Sequence, residues 1–168
     1  MVGMIVPMLI GVVLAAHVGQ ATLTFTKPAA WTDRAAGSSM RVAEFVVPRA
    51  SGDAEDGELI VYYFGGTGGS VEANLQRWTS QFESAKDPIR TSAVVNGLKL
   101  TSLDVSGTYV AEVRPGSTER HNKPAFRMRA TVVETPKGPY FVKLTGPSAT
   151  IDKAGAAFDQ FLQSLAFK

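Results

Sequence analysis

The chain has 168 residues, of which 45% are hydrophobic and 19% charged, and its net charge is +2. This length is typical of one domain, and the composition is that of an ordinary globular chain. So small a charge gives no basis for nucleic-acid binding without a concentrated basic patch. The sequence contains no cysteine, which excludes disulfides, thiol nucleophiles and Zn–Cys sites.

The first 21 residues, MVGMIVPMLIGVVLAAHVGQA, contain no charged side chain. An apolar segment over residues 5–16, followed by the small residues Gly19 and Ala21, is typical of a signal peptide, although the usual Lys or Arg before it is absent. We therefore predict a periplasmic or extracellular protein, with a signal peptide over residues 1–21 and a single domain over residues 22–168. The alternative is an uncleaved N-terminal membrane anchor, and the intact mass of the exported chain distinguishes the two.

The first part of the predicted domain consists of strands joined by loops. Alternation over residues 22–26 predicts a short strand, and a loop then carries Trp31 into the core. Residues 39–48 predict a second strand, which Pro48 ends. The continuous apolar run over residues 59–66 predicts a central strand buried on both faces.

A helix and four strands follow. Residues 70–84 predict the helix, because their apolar side chains recur at the spacing of one helix face: Val71, Leu75, Trp78 and Phe82. Asn96-Gly97 predicts a hairpin between strands at residues 89–95 and 98–110. The sequence TPKGP predicts another hairpin between residues 125–134 and 140–146.

The chain ends in a second predicted helix over residues 152–167, whose apolar face includes Phe158, Phe161 and Leu165. Strands, a helix, four strands and a helix then follow one another, and hairpins dominate the connections. This order predicts an α+β fold: a mainly antiparallel sheet with two principal helices packed on it.

The glycine-rich stretch FGGTGGS, residues 64–70, stands between a predicted strand and the first helix. It lacks the lysine of a phosphate-binding loop and the third glycine of a dinucleotide-binding turn, so it predicts no nucleotide cofactor. Gly68 and Gly69 leave two interpretations. Their turn either presents backbone N–H groups to a small anion or only reverses the chain, and we favour the reversal.

Two further groups of polar residues are candidate ligand or partner surfaces. Asn74, Arg77 and Gln81 share the flank of the first helix, which is either a binding surface or a solvated face. Arg127 and Arg129 lie together on one face of a predicted strand, within a basic segment. They either meet an anionic partner or line a solvated sheet face, and the absence of interleaved aromatic residues argues against nucleic acid.

The sequence shows no catalytic or metal-binding constellation. His121 is the one histidine left after signal cleavage, no G-x-S-x-G motif accompanies it, and no zinc or calcium spacing is present. We therefore predict a non-enzymatic binding or interaction domain for an unknown protein or small anionic ligand. The alternatives are an exported hydrolase that uses either carboxylates or a serine with His121, and a small-anion-binding module at the glycine turn. Membrane contact is expected only through an uncleaved N-terminal segment.

The segments KPAAW, SSMRVAEFVVP and ELIVYYFGGTGGSVEANLQRWTSQF together resemble an uncharacterised family of exported bacterial proteins. This resemblance covers residues 27–82 and implies export but no activity. The order of elements and the terminal helix AGAAFDQFLQSLAF look more distantly like the PsbP fold, an antiparallel sheet with helices on its faces. A photosystem extrinsic subunit uses that fold as a non-enzymatic module. The likeness is one of fold, so no photosystem function follows from it.

Overall fold

A computed structural model describes residues 21–168, so residues 1–20 of the predicted signal peptide lie outside the described part. Seven antiparallel strands form the main sheet, in the order β2-β3-β4-β8-β7-β6-β5, and β1 pairs with β9 beside it. The predicted α+β class is confirmed, with helices α1 and α2. The elements are β1 (Leu23–Thr24), β2 (Thr32–Asp33), β3 (Arg41–Val47), β4 (Gly57–Tyr63), α1 (Val71–Thr79), β5 (Phe82–Val95), β6 (Leu98–Tyr109), β7 (Lys123–Thr135), β8 (Gly138–Pro147), α2 (Ser148–Gln163) and β9 (Ala166–Phe167).

The two helices pack on opposite faces of the sheet, and each face has its own apolar core. On the α2 face, Trp31, Phe158 and Phe161 pack with inward-facing residues of β3, β4 and β8. On the α1 face, Leu75 and Trp78 pack on β6, β7 and β8. The alternation predicted for β7 is confirmed, since its apolar residues Phe126, Met128, Ala130 and Val132 all belong to the α1 core.

The sequence extends both helices too far. Helix α1 ends at Thr79, and Phe82 begins β5, where it pairs with Tyr109 and still lies in the α1 core. Phe82 continues the apolar spacing of the helix because it lies in the same core, although its backbone belongs to a strand. Helix α2 ends at Gln163, and Ala166–Phe167 forms β9 against β1. That pairing joins the two ends of the domain, so no pattern within a few residues of the sequence predicts it.

The glycine turn brings the backbone against an aromatic ring. Gly68 has φ +121°, and a Cβ atom at this position would lie 2.7 Å from the ring of Phe141 in β8. The side-chain amide of Asn74 donates hydrogen bonds of 2.8 Å to the carbonyls of Gly68 and Ser70. The Ser70 hydroxyl caps α1 by accepting a bond from the N–H of Ala73. The turn thus fixes the start of α1 on β8.

Replacing Gly68 with alanine should destabilise the protein by about 2–4 kcal/mol, because the new methyl group overpacks the ring and the backbone is strained. Gly65→Ala is the matched control: Gly65 has φ +67° but no atom within 4 Å of the added Cβ. It should cost only the backbone strain, about 1 kcal/mol. Urea unfolding of both variants checks this, and equal losses would contradict the packing role of Gly68.

Candidate functional site: a cationic cleft beside α1

A cleft opens on the α1 face because the helix is too short to cover the sheet. Its nine residues pack against β5, β6 and β7, and Trp78 contacts Phe141 of β8. This leaves β3, β4 and the part of β8 around Lys143 to border the cleft. The resulting cleft encloses about 590 Å³. Its polar lining includes Arg41, Glu58, Tyr62, Arg77, Gln81, Tyr109, Glu112, Arg120, His121 and Lys143.

Lys143 belongs to the cleft lining and comes from the interior of the sheet. It lies in β8, paired with Ile60 of β4 on one side and Ala130 of β7 on the other. Its Nζ donates a hydrogen bond of 3.3 Å to Oε1 of Gln81. Among the side chains that the structure describes, no carboxylate oxygen lies within 4.0 Å of this Nζ. Burial lowers the pKa of Lys143 to about 8, an effect that Glu58 opposes and Arg77 and Arg41 reinforce.

The other cations of the cleft differ in how they are neutralised. Arg41 bonds Glu44 at 2.8 Å, and Arg120 lies 3.9 Å from Glu112. Arg77 bonds the side-chain oxygen of Asn74 at 2.5 Å and has no carboxylate within salt-bridge distance in the described part of the chain. The lining therefore holds four cationic side chains against two carboxylates, Glu58 and Glu112. This excess of positive charge suits an anion.

Aromatic residues form part of the cleft walls. Tyr62 stacks on Phe64 with ring centroids 5.9 Å apart, and Tyr109 stacks on His121 at 5.4 Å. Burial raises the pKa of Tyr62, and it raises the pKa of Tyr109 to about 12. Both hydroxyls therefore stay protonated at neutral pH and provide hydrogen-bonding groups without negative charge.

The structure brings some of the sequence candidates together and separates the others. Arg77 and Gln81 both line the cleft. Asn74 is buried and connects Arg77 to the glycine turn through its side-chain amide. Gly68 and Gly69 belong to that turn, where Gly69 has φ +83°, and neither lines the cleft.

Arg127 and Arg129 lie on the opposite face of the sheet, against α2. Arg127 bonds Asp104 of β6, with its Nε 2.8 Å from Oδ1, and also bonds Asp152 of α2. Arg129 bonds Asp159 of α2 at 2.7 Å. Hydrogen bonds to Asp104 raise the pKa of Arg127 above its usual value. Both guanidinium groups therefore attach α2 to the sheet.

Sequence reasoning missed Lys143, the aromatic walls and Arg41. The signal available for Lys143 was its position, since it interrupts the otherwise apolar strand YFVKL. A lysine inside such a strand is rarely buried without a partner. His121, considered as a catalytic base, lines the cleft, but no serine or carboxylate of the described residues is hydrogen-bonded to its ring.

The described part of the chain lacks two further features. Residues 21–168 contain no group of three or more His, Asp or Glu side chains arranged to hold a metal ion. None of the helices in the same range is long and apolar enough to span a bilayer.

Comparison with known proteins gives structural neighbours only. No family model matches the chain, and no curated protein matches it. A protein of unknown function from Pseudomonas aeruginosa, PA94, is similar over 88% of this chain and 97% of its own, with 18% identity and a TM-score of 0.55. The cyanobacterial PsbP protein from Synechocystis is similar over 94% and 99%, with 15% identity and a TM-score of 0.48. The chain is thus distantly similar in structure to PsbP, as its layout predicts.

Replacing Lys143 with methionine should stabilise the protein at neutral pH, by about 1–2 kcal/mol, because it removes a desolvated charge. The pKa of Lys143 is about 8 when folded, against an ordinary 10.5. The charge therefore costs stability below pH 8, and this cost disappears as the pH rises towards 10.5. Urea unfolding at pH 7 and pH 10 tests this, with the exposed Lys99→Met as control. A gain that is equal at both pH values would contradict it.

Proposed function

We propose that the protein is an exported, non-enzymatic binding domain that holds a small anionic ligand in the cleft beside α1. One observation carries the proposal. Lys143 and Arg77 line the same cleft, and within the described residues neither has a carboxylate partner. A poorly solvated cation without a counter-charge costs free energy, and an anionic ligand would remove this cost on binding.

The size and chemistry of the cleft favour a small molecule. Its volume of about 590 Å³ lies within the usual range of small-molecule sites, roughly 300–1,000 Å³. Arg77 uses one donor on Asn74, and a guanidinium has further N–H groups for a carboxylate or phosphate. The rings of Tyr62 and Tyr109 add apolar surface with a hydroxyl at the edge. A carboxylate or phosphate attached to a small apolar body would suit this lining.

The export part of the proposal is supported by the sequence of residues 1–21, with its apolar segment and small residues before the expected cleavage point. The structural neighbours add nothing to it, since likeness at 18% identity concerns the fold alone.

A hydrolase in the same cleft is the second candidate, because His121 lines it. A hydrolytic histidine needs a nucleophile or an activated water, and usually a third group that orients its ring. The ring of His121 stacks on Tyr109 and, among the described side chains, has no hydrogen bond to a serine or carboxylate. This favours binding over hydrolysis. Anion binding at the glycine turn has weaker support, because Ser70 already caps α1.

Phosphate, sulfate or citrate should raise the melting temperature of the wild-type protein in proportion to the logarithm of ligand concentration above Kd. Arg77→Gln should lose most of this shift, since it removes a cation that lines the cleft. Arg49→Gln is the control, because it changes the net charge equally and lies outside the cleft. The measurement is thermal unfolding with millimolar anion. The proposal fails if no anion shifts the wild type, or if both variants respond alike.

A further inference from the structure

The surroundings of Lys143 differ from those of three other lysines in the chain, which lie beside carboxylates. Within the described residues its Nζ donates one hydrogen bond, to Gln81, and Lys143 lines the cleft. By contrast, Lys27 and Lys123 bond Asp33 and Glu55, and Lys99 lies 3.3 Å from Glu134. Each of these three lysines therefore has a carboxylate partner, whereas Lys143 has none in the described part of the chain.

Two conditions that make a lysine amine nucleophilic occur together at Lys143. These conditions are loss of solvent and a neighbouring cation. Partial burial in the cleft supplies the first, and Arg77 and Arg41, which line the same cleft, supply the second. The pKa near 8 gives Lys143 about two orders of magnitude more neutral amine at pH 7 than an ordinary lysine.

We propose that Lys143 forms an imine with small anionic carbonyl compounds, either phosphorylated aldehydes or oxo acids, that bind in the cleft. This inference rests on the proposed function, because the anionic group of the compound is held by the cations that line the cleft. Arg77, on the helix side, is placed to bind that group while the carbonyl carbon meets Nζ. Gln81 accepts a hydrogen bond from the amine through its Oε1.

The reaction needs no oxidant or cofactor. The nitrogen lone pair attacks the carbonyl carbon as the C=O π bond breaks, and one amine proton passes through solvent to the oxygen, which gives a carbinolamine. The hydroxyl then takes a proton from solvent in the open cleft and leaves as water while the nitrogen lone pair forms the C=N bond. The nitrogen returns its remaining proton to solvent, which gives the imine. Addition of water reverses the sequence and returns the free amine, so the outcome is reversible covalent binding.

Several charged and titratable groups from the surrounding elements line the cleft together with Lys143. They are Arg41 from β3, Glu58 and Tyr62 from β4, Arg77 from α1, Tyr109 from β6, and Glu112, Arg120 and His121 from the segment after β6. Glu58 is bonded to Arg34 at 3.3 Å, which lessens its effect on Lys143. The rate of imine formation should therefore rise with pH towards 8 and then level off as the neutral amine becomes the main form.

The test treats the full domain at pH 7 with pyridoxal 5′-phosphate or glyoxylate, reduces the imine with borohydride, and maps the modified lysines by peptide mass. Lys143 should be labelled at least roughly tenfold faster than the exposed Lys99, given its larger neutral fraction. Lys143→Arg should lose that label, and Lys143→Met serves as a second variant if the arginine does not fold. Arg77→Gln should slow labelling by pyridoxal 5′-phosphate.

Different outcomes overturn different claims. If Lys143 is labelled no faster than Lys99 while phosphate still raises the melting temperature, the imine inference is wrong and the proposed function stands. If pyridoxal labels Lys143 as fast as pyridoxal 5′-phosphate, the anionic part of the inference is wrong. If phosphate gives no thermal shift and neither probe selects Lys143, both proposals fail together.

Discussion

The candidate site depends on the contact between the backbone of Gly68 and the ring of Phe141. A side chain at position 68 would collide with that ring, so only glycine allows the backbone to pack against Phe141 of β8 just before α1 begins. Phe141 and Lys143 point to the same face of β8, two residues apart. The helix covers Phe141 and ends at Thr79, so Gln81 reaches Lys143 at the edge of the uncovered sheet. One close approach thus positions both the helix and the cleft.

Lys143 on the α1 face differs from the arginines on the α2 face in how its charge is compensated. On the α2 face, Arg127 and Arg129 bond Asp104, Asp152 and Asp159, so positive charge is neutralised within the fold. On the α1 face, Lys143 is poorly solvated and, among the described residues, unpaired. Such an arrangement lowers the free energy of unfolding. Groups with shifted pKa values cluster at functional sites, so this contrast supports a site at the cleft.

Much of the fold follows from patterns within a few residues. Alternation predicts which face of β7 is apolar, and Asn96-Gly97 predicts a hairpin whose two residues have φ +48° and +78°. The ends of the helices and the β1–β9 pair do not follow, because contacts between distant residues determine them. The sequence predicts only part of the candidate site. Arg77 and Gln81 stand out on a helix, whereas Lys143 joins them only when β8 is placed beside α1.

The side-chain pKa of Lys143 tests the account most directly. It can be measured by NMR titration of protein containing isotope-labelled lysine, with the resonance assigned by its absence in Lys143→Met. The account predicts a titration near pH 8 in the unliganded protein, because the amine is desolvated and lacks a carboxylate partner. A titration at the ordinary value of 10.5 would contradict it. The amine would then be solvated, and the cleft would have no half-buried, unpaired lysine for an anionic ligand to neutralise.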